Sequence, residues 1–490
     1  MVNPDSPSPV DPERRARLLA SAAVTLRHLG DVLVPLGERF ADAGHDLYLV
    51  GGTVRDALLG RLGLDLDFTT DARPEKVQEL LRGLVDNQWD TGIRFGTVSA
   101  AKGSHLIEIT TYRSDVYNGV TRNPEVQYGT SLEDDLVRRD FTVNAMAIKI
   151  GRGGAEEFVD PLHGVDALVA GVLDTPSAPE SSFSDDPLRM MRAARFVSQL
   201  GFAVAPRVSK AIVDMADQID RITVERIRAE LDKLILGTHP EDGIDLLCVT
   251  GLADRVLPEI PALRLEIDEH HQHKDVYQHS LTVLRQAIDL EESDPDLVLR
   301  WAAILHDVGK PGTRRHESGG GVSFHHHEVV GAKLVRRRMR TLKYPNQVID
   351  DVAQLVFLHL RFHGYSGGQW TDSAVRRYVT DAGPLLSRLH KLVRADCTTR
   401  NKRRAAALQS SYDSLEHRID QIREAEDLAK VRPQLDGNRI MELLSVPPGP
   451  VVGQAWQFLK DQRLDRGPMS DAEAEEALLR WWEDQQRDNQ

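Results

Sequence analysis

The hydrophobic pattern of this 490-residue chain changes period once, near residue 175, and that change limits the folds open to it. Before it, β-branched runs such as DLYLV, LDLDFTT, GTVSA, HLIEITTY and AMAIKI alternate with amphipathic stretches such as TVRDALLGR and PEKVQELLRGLV. Alternation of this kind predicts helices packed on a single sheet, with its last strand near AMAIKI. After the turn-rich linker GVLDTPSAPESSFS the β-branched runs stop. Helical spacing then dominates to the end, as in DPLRMMRAARFVSQL, VERIRAELDKLIL and DLVLRWAAILHDVG. The expected fold class is α+β, an α/β head on an all-helical body, without internal repeats.

Composition narrows the class of protein. Hydrophobic residues make up 41% and charged residues 28%, which allows substantial cores and argues against global disorder. The two cysteines, Cys248 and Cys397, are far apart, so a disulfide framework is not expected and a reducing cytoplasm is. No run approaches the ~20 apolar residues of a membrane span, and no membrane partner is expected. The start, MVNPDSPSPVDPERR, has no apolar signal core and reads as a short disordered lead. A net charge of −14 speaks against wrapping a long polyanion with the whole surface. Local basic groups remain, at Arg336-Arg337-Arg338, Arg376-Arg377 and Arg400 with Lys402-Arg403-Arg404.

The chemistry-bearing segment is GLDLDFTT. On a strand, Asp65 and Asp67 share one face while Leu66 and Phe68 take the other. Two carboxylates so close repel unless a cation lies between them. Upstream, Gly51 and Gly52 join a strand to a helix, a turn that offers free backbone N–H groups and a helix N-terminus to a phosphate. Arg55 follows one turn later, placed to contact it. In HLIEITTYR the alternation puts Leu106, Glu108 and Thr110 on one face, so Glu108 supplies a third acid. Three acids from two strands suit two Mg²⁺ ions and nucleotidyl transfer, a reaction that asks a protein mainly for positioning and charge stabilisation.

A second constellation lies in FSDDPLRMMRAARF. Cytosine and adenine both present an amino donor beside a ring-nitrogen acceptor, whereas uracil and guanine present the reverse. One carboxylate beside one guanidinium therefore accepts C and A and rejects U and G. Asp186 and Arg189, three apart on one turn, supply that pair, with Ser184 or an adjacent Asp as cap and Pro187 in the first turn.

Taken in order, GGTVRDALLG…DLDFTT, RRDFTVNAMA and DDPLRMMRAARF resemble the bacterial tRNA nucleotidyltransferase/poly(A) polymerase family over roughly residues 45–240. The resemblance implies a polymerase-beta-like palm and template-independent addition of CCA to tRNA 3′ ends from CTP and ATP, with Mg²⁺. Asp186 and Arg189 match the family's base-pairing Asp and Arg, while its leading Glu is Asp185 here. Arg192 and Arg195 resemble further nucleotide-contacting arginines, Arg139 the triphosphate contact, and Asp140 a link from head to neck. VERIRAEL (224–231) resembles the neck helix, and SDVYNGVTRNPEVQYGT the loop that helps switch specificity from C to A. The implied division is a lead and helix (1–40), a catalytic head (41–180), a neck (181–250), an HD domain (251–400) and a tRNA-binding tail (401–490). A poly(A) polymerase of the same family is the nearest alternative. A non-catalytic RNA-binding adaptor would leave the acid set unexplained.

Downstream, His279, His306-Asp307 and Asp396 have the order of an HD-type phosphohydrolase domain, with a divalent transition metal as expected cofactor. His306 and Asp307 are expected to close a helix that Gly309 and Pro311 terminate, so that both reach one ion. His326, His327 and His359 are further candidate ligands. Work on phosphorylated RNA ends is the activity implied, and an HD phosphohydrolase with a degenerate head is the rival reading from another class.

Overall fold

The computed structural model describes residues 11–90, 92–93, 96–112, 129, 131–264, 276–316, 322–365, 370–399, 401–425 and 433–488. The segment expected to switch specificity, 114–130, lies outside the described residues apart from Gly129, as does the lead up to residue 10. Two compact units divide the chain, Met1–Val256 and Leu257–Gln490, so the break falls slightly beyond the expected boundary at 250.

In the first unit, α1 (Pro12–Arg27) and α2 (Gly30–Asp42) lead into β1 (Leu47–Val50), α3 (Gly51–Leu58) and β2 (Asp65–Thr70). Asp11 caps α1 by accepting from the Glu13 and Arg14 amides, so PERR is helical rather than part of a disordered lead. Then come α4 (Pro74–Leu81), β3 (Asn87–Trp89), β4 (Thr97–Lys102), β5 (His105–Thr111), α5 (Leu132–Val137), β6 (Ala147–Gly151) and β7 (Gly154–Val159). One seven-stranded sheet results, in the order β3-β4-β5-β2-β1-β6-β7. Only β2 and β5 run parallel, and the crossover between them carries α4, β3 and β4. Leu66, Phe68, Ile107 and Ile109 are buried on one face of this central pair. The opposite face carries the acids.

Two expectations about the head are corrected. AMAIKI is not the last strand, because β7 pairs with it at the sheet edge. Its residues, GAEEFV, are half of them exposed and lack the apolar alternation that marks a half-buried strand. Likewise, PESSFSD is not linker but helix α7 (Pro179–Asp185), started by proline at its first turn.

The helical half of this unit comprises α6 (Gly164–Ala170), α7, α8 (Leu188–Leu200), α9 (Pro206–Met215), α10 (Val224–Ile235), α11 (Pro240–Val249) and α12 (Leu252–Val256), with one short parallel ladder between β8 (Val172–Leu173) and β9 (Ala203–Val204). α8 packs on both α10 and α11. The cap of α8 is neither Ser184 nor Asp185. Asp186 accepts the Leu188 amide, and Pro187 occupies the N-cap position.

The second unit holds α13 (Val276–Asp289), α14 (Leu297–Leu305), α15 (Lys310–Thr313), the ladder β10 (Arg315–His316) with β11 (Val322–Ser323), α16 (His327–Thr341), α17 (Asn346–Leu358), α18 (Asp372–Ala382) and α19 (Leu386–Ala395). A tail follows: α20 (Lys402–Ala425), α21 (Gly437–Leu444), α22 (Pro450–Arg466) and α23 (Asp471–Asp488). The last three enclose a small core around Ile440, Leu459 and Leu478. No single helix among the described residues is long and apolar enough to cross a membrane.

The approach of α2 to the sheet depends on one missing side chain. A methyl on Gly37 would collide with the backbone carbonyl oxygen of Gly151 at the end of β6. Gly37→Ala should therefore lower unfolding free energy by about 1–3 kcal/mol, the usual result of overpacking a close contact. Urea titration at neutral pH measures it, and an unchanged midpoint would show that α2 and β6 can part without loss.

Candidate active site

The parallel register of β2 and β5 sets Asp67 directly beside Glu108, with Asp65 two residues earlier on the same face. Burial, followed by the nearby Glu108 and Asp65, raises the Asp67 carboxyl above its ordinary range against the opposing pull of Arg139. A buried acid crowded by other acids is a place where a divalent cation gains most. The three expected acids are thus brought together, and their oxygen donors suit Mg²⁺.

Around them, α3 is fixed to β2 by Thr53. Its hydroxyl accepts the Asp67 amide at 3.0 Å and donates to the Asp65 carbonyl at 3.4 Å. Gly51 begins α3 at φ +68, where a side chain is strained, and a Cβ there would come within 2.7 Å of the Arg139 guanidinium. Arg139 is in turn held by Asp135 at 3.1 Å. Asp67 and Arg139 line two adjoining clefts of about 460 and 220 Å³. The larger also contains Gly51, Gly52, Asp65, Arg192, Arg195, Gln199 and Lys233. The smaller contains Glu108, Asp135 and Arg138.

The other expected nucleotide ligands have more committed partners. Arg55 is buried, with two donors on Asp56 and one on the Asn144 amide oxygen at 2.7 Å, so it lines the cleft already bonded. Arg192 donates to Asp140 at 2.7 Å, and Arg195 pairs with the buried Glu230 at 3.0 Å. The guanidiniums of Arg55, Arg192 and Arg195 all lie against the Phe196 ring, 4.3–5.5 Å from its centroid. Asp140 does couple head to neck: it accepts from Arg192 of α8 and from Asn144, and its amide neighbour Phe141 also donates to it. Burial alone would raise the Asp140 carboxyl, but Arg192 and the Asn144 hydrogen bond hold it far below the usual carboxylate range.

Asp186 and Arg189 do not face each other. Asp186 accepts from Arg226 of α10 at 2.8 Å, whereas Arg189 donates to Ser182 Oγ at 2.7 Å and to the Arg138 carbonyl at 2.6 Å. Arg189 thereby touches the RRDF segment, and neither residue lines the acid cleft. Sequence reasoning passed over Thr53, Asp135, Asn144 and Phe196. Of these, Asn144 and Asp135 left local signals, Asn144 four residues after Asp140 and Asp135 four residues before Arg139.

In the second unit, His279, His306, Asp307 and Asp396 converge, joined by His327 and His359. His279 Nε2 lies 2.9 Å from Asp396 Oδ1, and His306 Nε2 lies 3.1 Å from Asp307 Oδ2. On the other oxygen, Asp307 Oδ1 is 3.2 Å from His327 Nε2 and 4.0 Å from His359 Nε2. The ring nitrogens of His306, His327 and His359 not facing Asp307 meet backbone carbonyls of Ala303, Phe324 and Val356, which fixes each ring. The His359 Nε2 atom is buried with no hydrogen-bond partner, an orphaned ring nitrogen that fits a metal ligand. Burial alone would lower His306, but Asp307 and Asp396 raise it to about 9. Burial and the neighbouring His306 push His359 down to about 4.

His326 is excluded from this group: it stands outside the helix at φ +63, exposed, and nearest Glu328. The helix before the motif ends at Leu305, with His306 as its cap, and Pro311 opens the short α15 instead of ending α14. Lys310 reaches Asp307 Oδ2 at 2.6 Å.

A mixed sheet presenting three acids beside a glycine-opened helix, coupled to a helical neck, defines a nucleotidyltransferase head. Residues 47–174 match the poly A polymerase head domain, 201–263 the probable RNA and SrmB-binding site of polymerase A, and 276–401 the HD domain. The A-adding tRNA nucleotidyltransferase of Deinococcus radiodurans is 34% identical over 445 residues, 89% of this chain and 95% of that one. The CCA-adding enzyme of Geobacillus kaustophilus is 42% identical over 314 residues, covering 64% of this chain and 66% of its own. That of Leuconostoc mesenteroides is 39% identical over 233 residues, 47% of this chain and 55% of its own. The chain therefore spans little more than half the length of that relative. In fold, the Bacillus stearothermophilus CCA-adding enzyme in complex with CTP aligns at a TM-score of 0.66 and 24% identity, over 96% of this chain and 99% of that one. The chain belongs to the tRNA nucleotidyltransferase/poly(A) polymerase family and carries an HD domain.

The Asp140–Arg192 pair yields a stability test. Removing the carboxylate leaves the half-buried Arg192 guanidinium without its carboxylate, so Asp140→Asn should cost about 2 kcal/mol at neutral pH, less than for a fully buried pair. Because the folded carboxyl is depressed, its contribution is complete above the ordinary carboxylate pKa and is lost as pH falls below about 4. The gap between wild type and variant should narrow in acid. Thermal melts from pH 7 down to 3 measure it, and a gap that does not change with pH would remove the pair from the account.

Proposed function

We propose that this chain completes tRNA 3′ ends by adding C, C and A from CTP and ATP without a nucleic-acid template, releasing pyrophosphate. The observation that carries this reading is the registered pair Asp67–Glu108 with Asp65 beside it: Asp65 and Asp67 line the cleft that holds Gly51 and Arg139, and Glu108 lines the adjoining one. Asp65, Asp67 and Glu108 would hold Mg²⁺, which lowers the pKa of an attacking hydroxyl and neutralises the leaving pyrophosphate. Arg139, poised over Gly51, is positioned for the triphosphate, and the first turn of α3 offers backbone N–H groups to it.

Asp186 and Arg189 are the base readers in this proposal. Pairing with a base requires Asp186 to exchange its Arg226 contact for the amino group of C or A, while Arg189 keeps its place against the Arg138 carbonyl. A second reading, addition of the terminal A alone, is favoured by the A-adding tRNA nucleotidyltransferase that matches along 89% of the chain. Purified protein with Mg²⁺ and tRNA transcripts ending before CCA, or after CC, separates the two. Extension by three nucleotides supports full CCA addition, extension of the CC-ended transcript alone supports A addition, and untemplated A runs support a poly(A) polymerase. Asp65→Ala should reduce extension by at least about a thousandfold without changing the melting temperature, since it removes charge stabilisation and no core. Asp186→Ala should admit UTP and GTP, and unchanged discrimination would unseat the base reader.

For the HD cluster we propose a centre for two divalent transition-metal ions bridged by Asp307. His279, His306 and Asp396 would hold one, and His327 and His359 the other. Ions there would supply an activated water for hydrolysis of a phosphate ester at an RNA end. Protein stripped with chelator and dialysed against nickel should retain two ions at this centre, His327→Ala one, and Asp307→Asn none. Retention of two ions by His327→Ala, read by elemental analysis, would refute the bridged arrangement.

A further inference from the structure

The charges lining the acid cleft cancel in pairs, with a remainder. Arg55 is matched by Asp56, Arg192 by Asp140, Arg195 by Glu230 and Arg139 by Asp135. The anionic remainder is Asp65 with Asp67, which belongs to the metal ions. The cationic remainder is Lys233 of α10. It is exposed, lines the same cleft, and has no ion pair or hydrogen bond among the described residues.

Its setting is built by two packed helices. α8 and α10 are joined by the buried Arg195–Glu230 pair. One turn further along each helix come Gln199, four residues after Arg195, and Lys233, three after Glu230. Gln199 is half-buried, also lines the cleft, and likewise has no hydrogen-bond partner among the described residues. The buried pair thus fixes the helices in register and leaves, on the next turn, an ammonium and an amide directed at solvent inside a catalytic cleft. Elsewhere in that cleft each guanidinium already has a carboxylate. Among the described residues lining that cleft, Lys233 is the cation without a carboxylate partner, so its whole charge is open to an incoming anion.

We propose that Lys233, assisted by the Gln199 amide, is a substrate-binding residue that holds a phosphate oxygen during nucleotide addition. This rests on the nucleotidyltransfer reading of the head. The phosphate belongs either to the triphosphate of the incoming nucleotide or to the backbone at the 3′ end of the RNA, and the chemistry of recognition is the same. An ammonium suits either, because it is a compact charge with three donors that does not demand the planar geometry of a guanidinium.

The test measures two equilibrium affinities with the full chain, using Ca²⁺ in place of Mg²⁺: for CTP, and for a tRNA transcript lacking CCA. Lys233→Met should weaken one of them about tenfold, the ordinary effect of losing a charge-assisted hydrogen bond, and Lys233→Arg should restore most of it. Loss confined to CTP assigns the triphosphate. Loss confined to tRNA, with the salt dependence of binding shallower by about one counterion, assigns the RNA backbone. Both affinities within twofold of wild type would overturn the proposal, as would equal weakening by Lys233→Met and Lys233→Arg. Extension by the wild-type protein is assayed in parallel. If it extends tRNA while Lys233→Met binds normally, only this inference fails. If it does not extend, the nucleotidyltransfer reading fails, and the two affinities still decide whether Lys233 holds phosphate.

Discussion

The first unit is organised around a repulsion. Parallel pairing of β2 with β5 places Asp67 next to Glu108 and two residues from Asp65, a crowding of like charges that costs free energy in the bare chain; burial first, and then these two acids, raise the Asp67 carboxyl. A sheet tolerates it because the opposite face of the same two strands is fully buried, with Leu66, Phe68, Ile107 and Ile109 fixing the register. A slip by one residue would bury the acids and expose the core. Hydrophobic packing on one face therefore holds three like charges together on the other, where a cation can use them.

Supporting contacts keep the acids aimed. Thr53 ties α3 to β2 by two hydrogen bonds, Gly51 admits the Arg139 guanidinium, and Asp135 orients it. The Asp140–Arg192–Asn144 group joins this platform to α8, and Arg195–Glu230 joins α8 to α10. The cleft thus lies where sheet and neck meet, and its residues come from segments up to about 180 positions apart. The HD cluster uses a related device. One buried carboxylate, Asp307, presents an oxygen to each of two groups of histidines, in which backbone carbonyls fix the rings of His306, His327 and His359 and the Thr398 hydroxyl meets that of His279.

What was readable beforehand follows the reach of local rules. The strand period of two put Asp65 and Asp67 on one face, and helical spacing found α8 and α10. Those rules failed at β7, a half-exposed edge strand without apolar alternation, and at α7, a short polar helix packed on α9. In the HD cluster, the order of residues suggested His326, His327 and His359 equally. Only the entry into α16 separates them, turning His327 inward and leaving His326 outside the helix.

The sequence by itself determined the kind of chemistry: which acids exist, that two of them share a face, and that an acid–arginine pair stands three apart at a helix start. These properties depend on neighbours within one turn or one strand. Only the tertiary structure decided that Glu108 stands beside Asp67, that Asp186 meets Arg226 while Arg189 meets Arg138, and that Lys233 is left over in the cleft. Those facts depend on strand register and helix packing, which are set by the summed burial of many side chains distant in the chain.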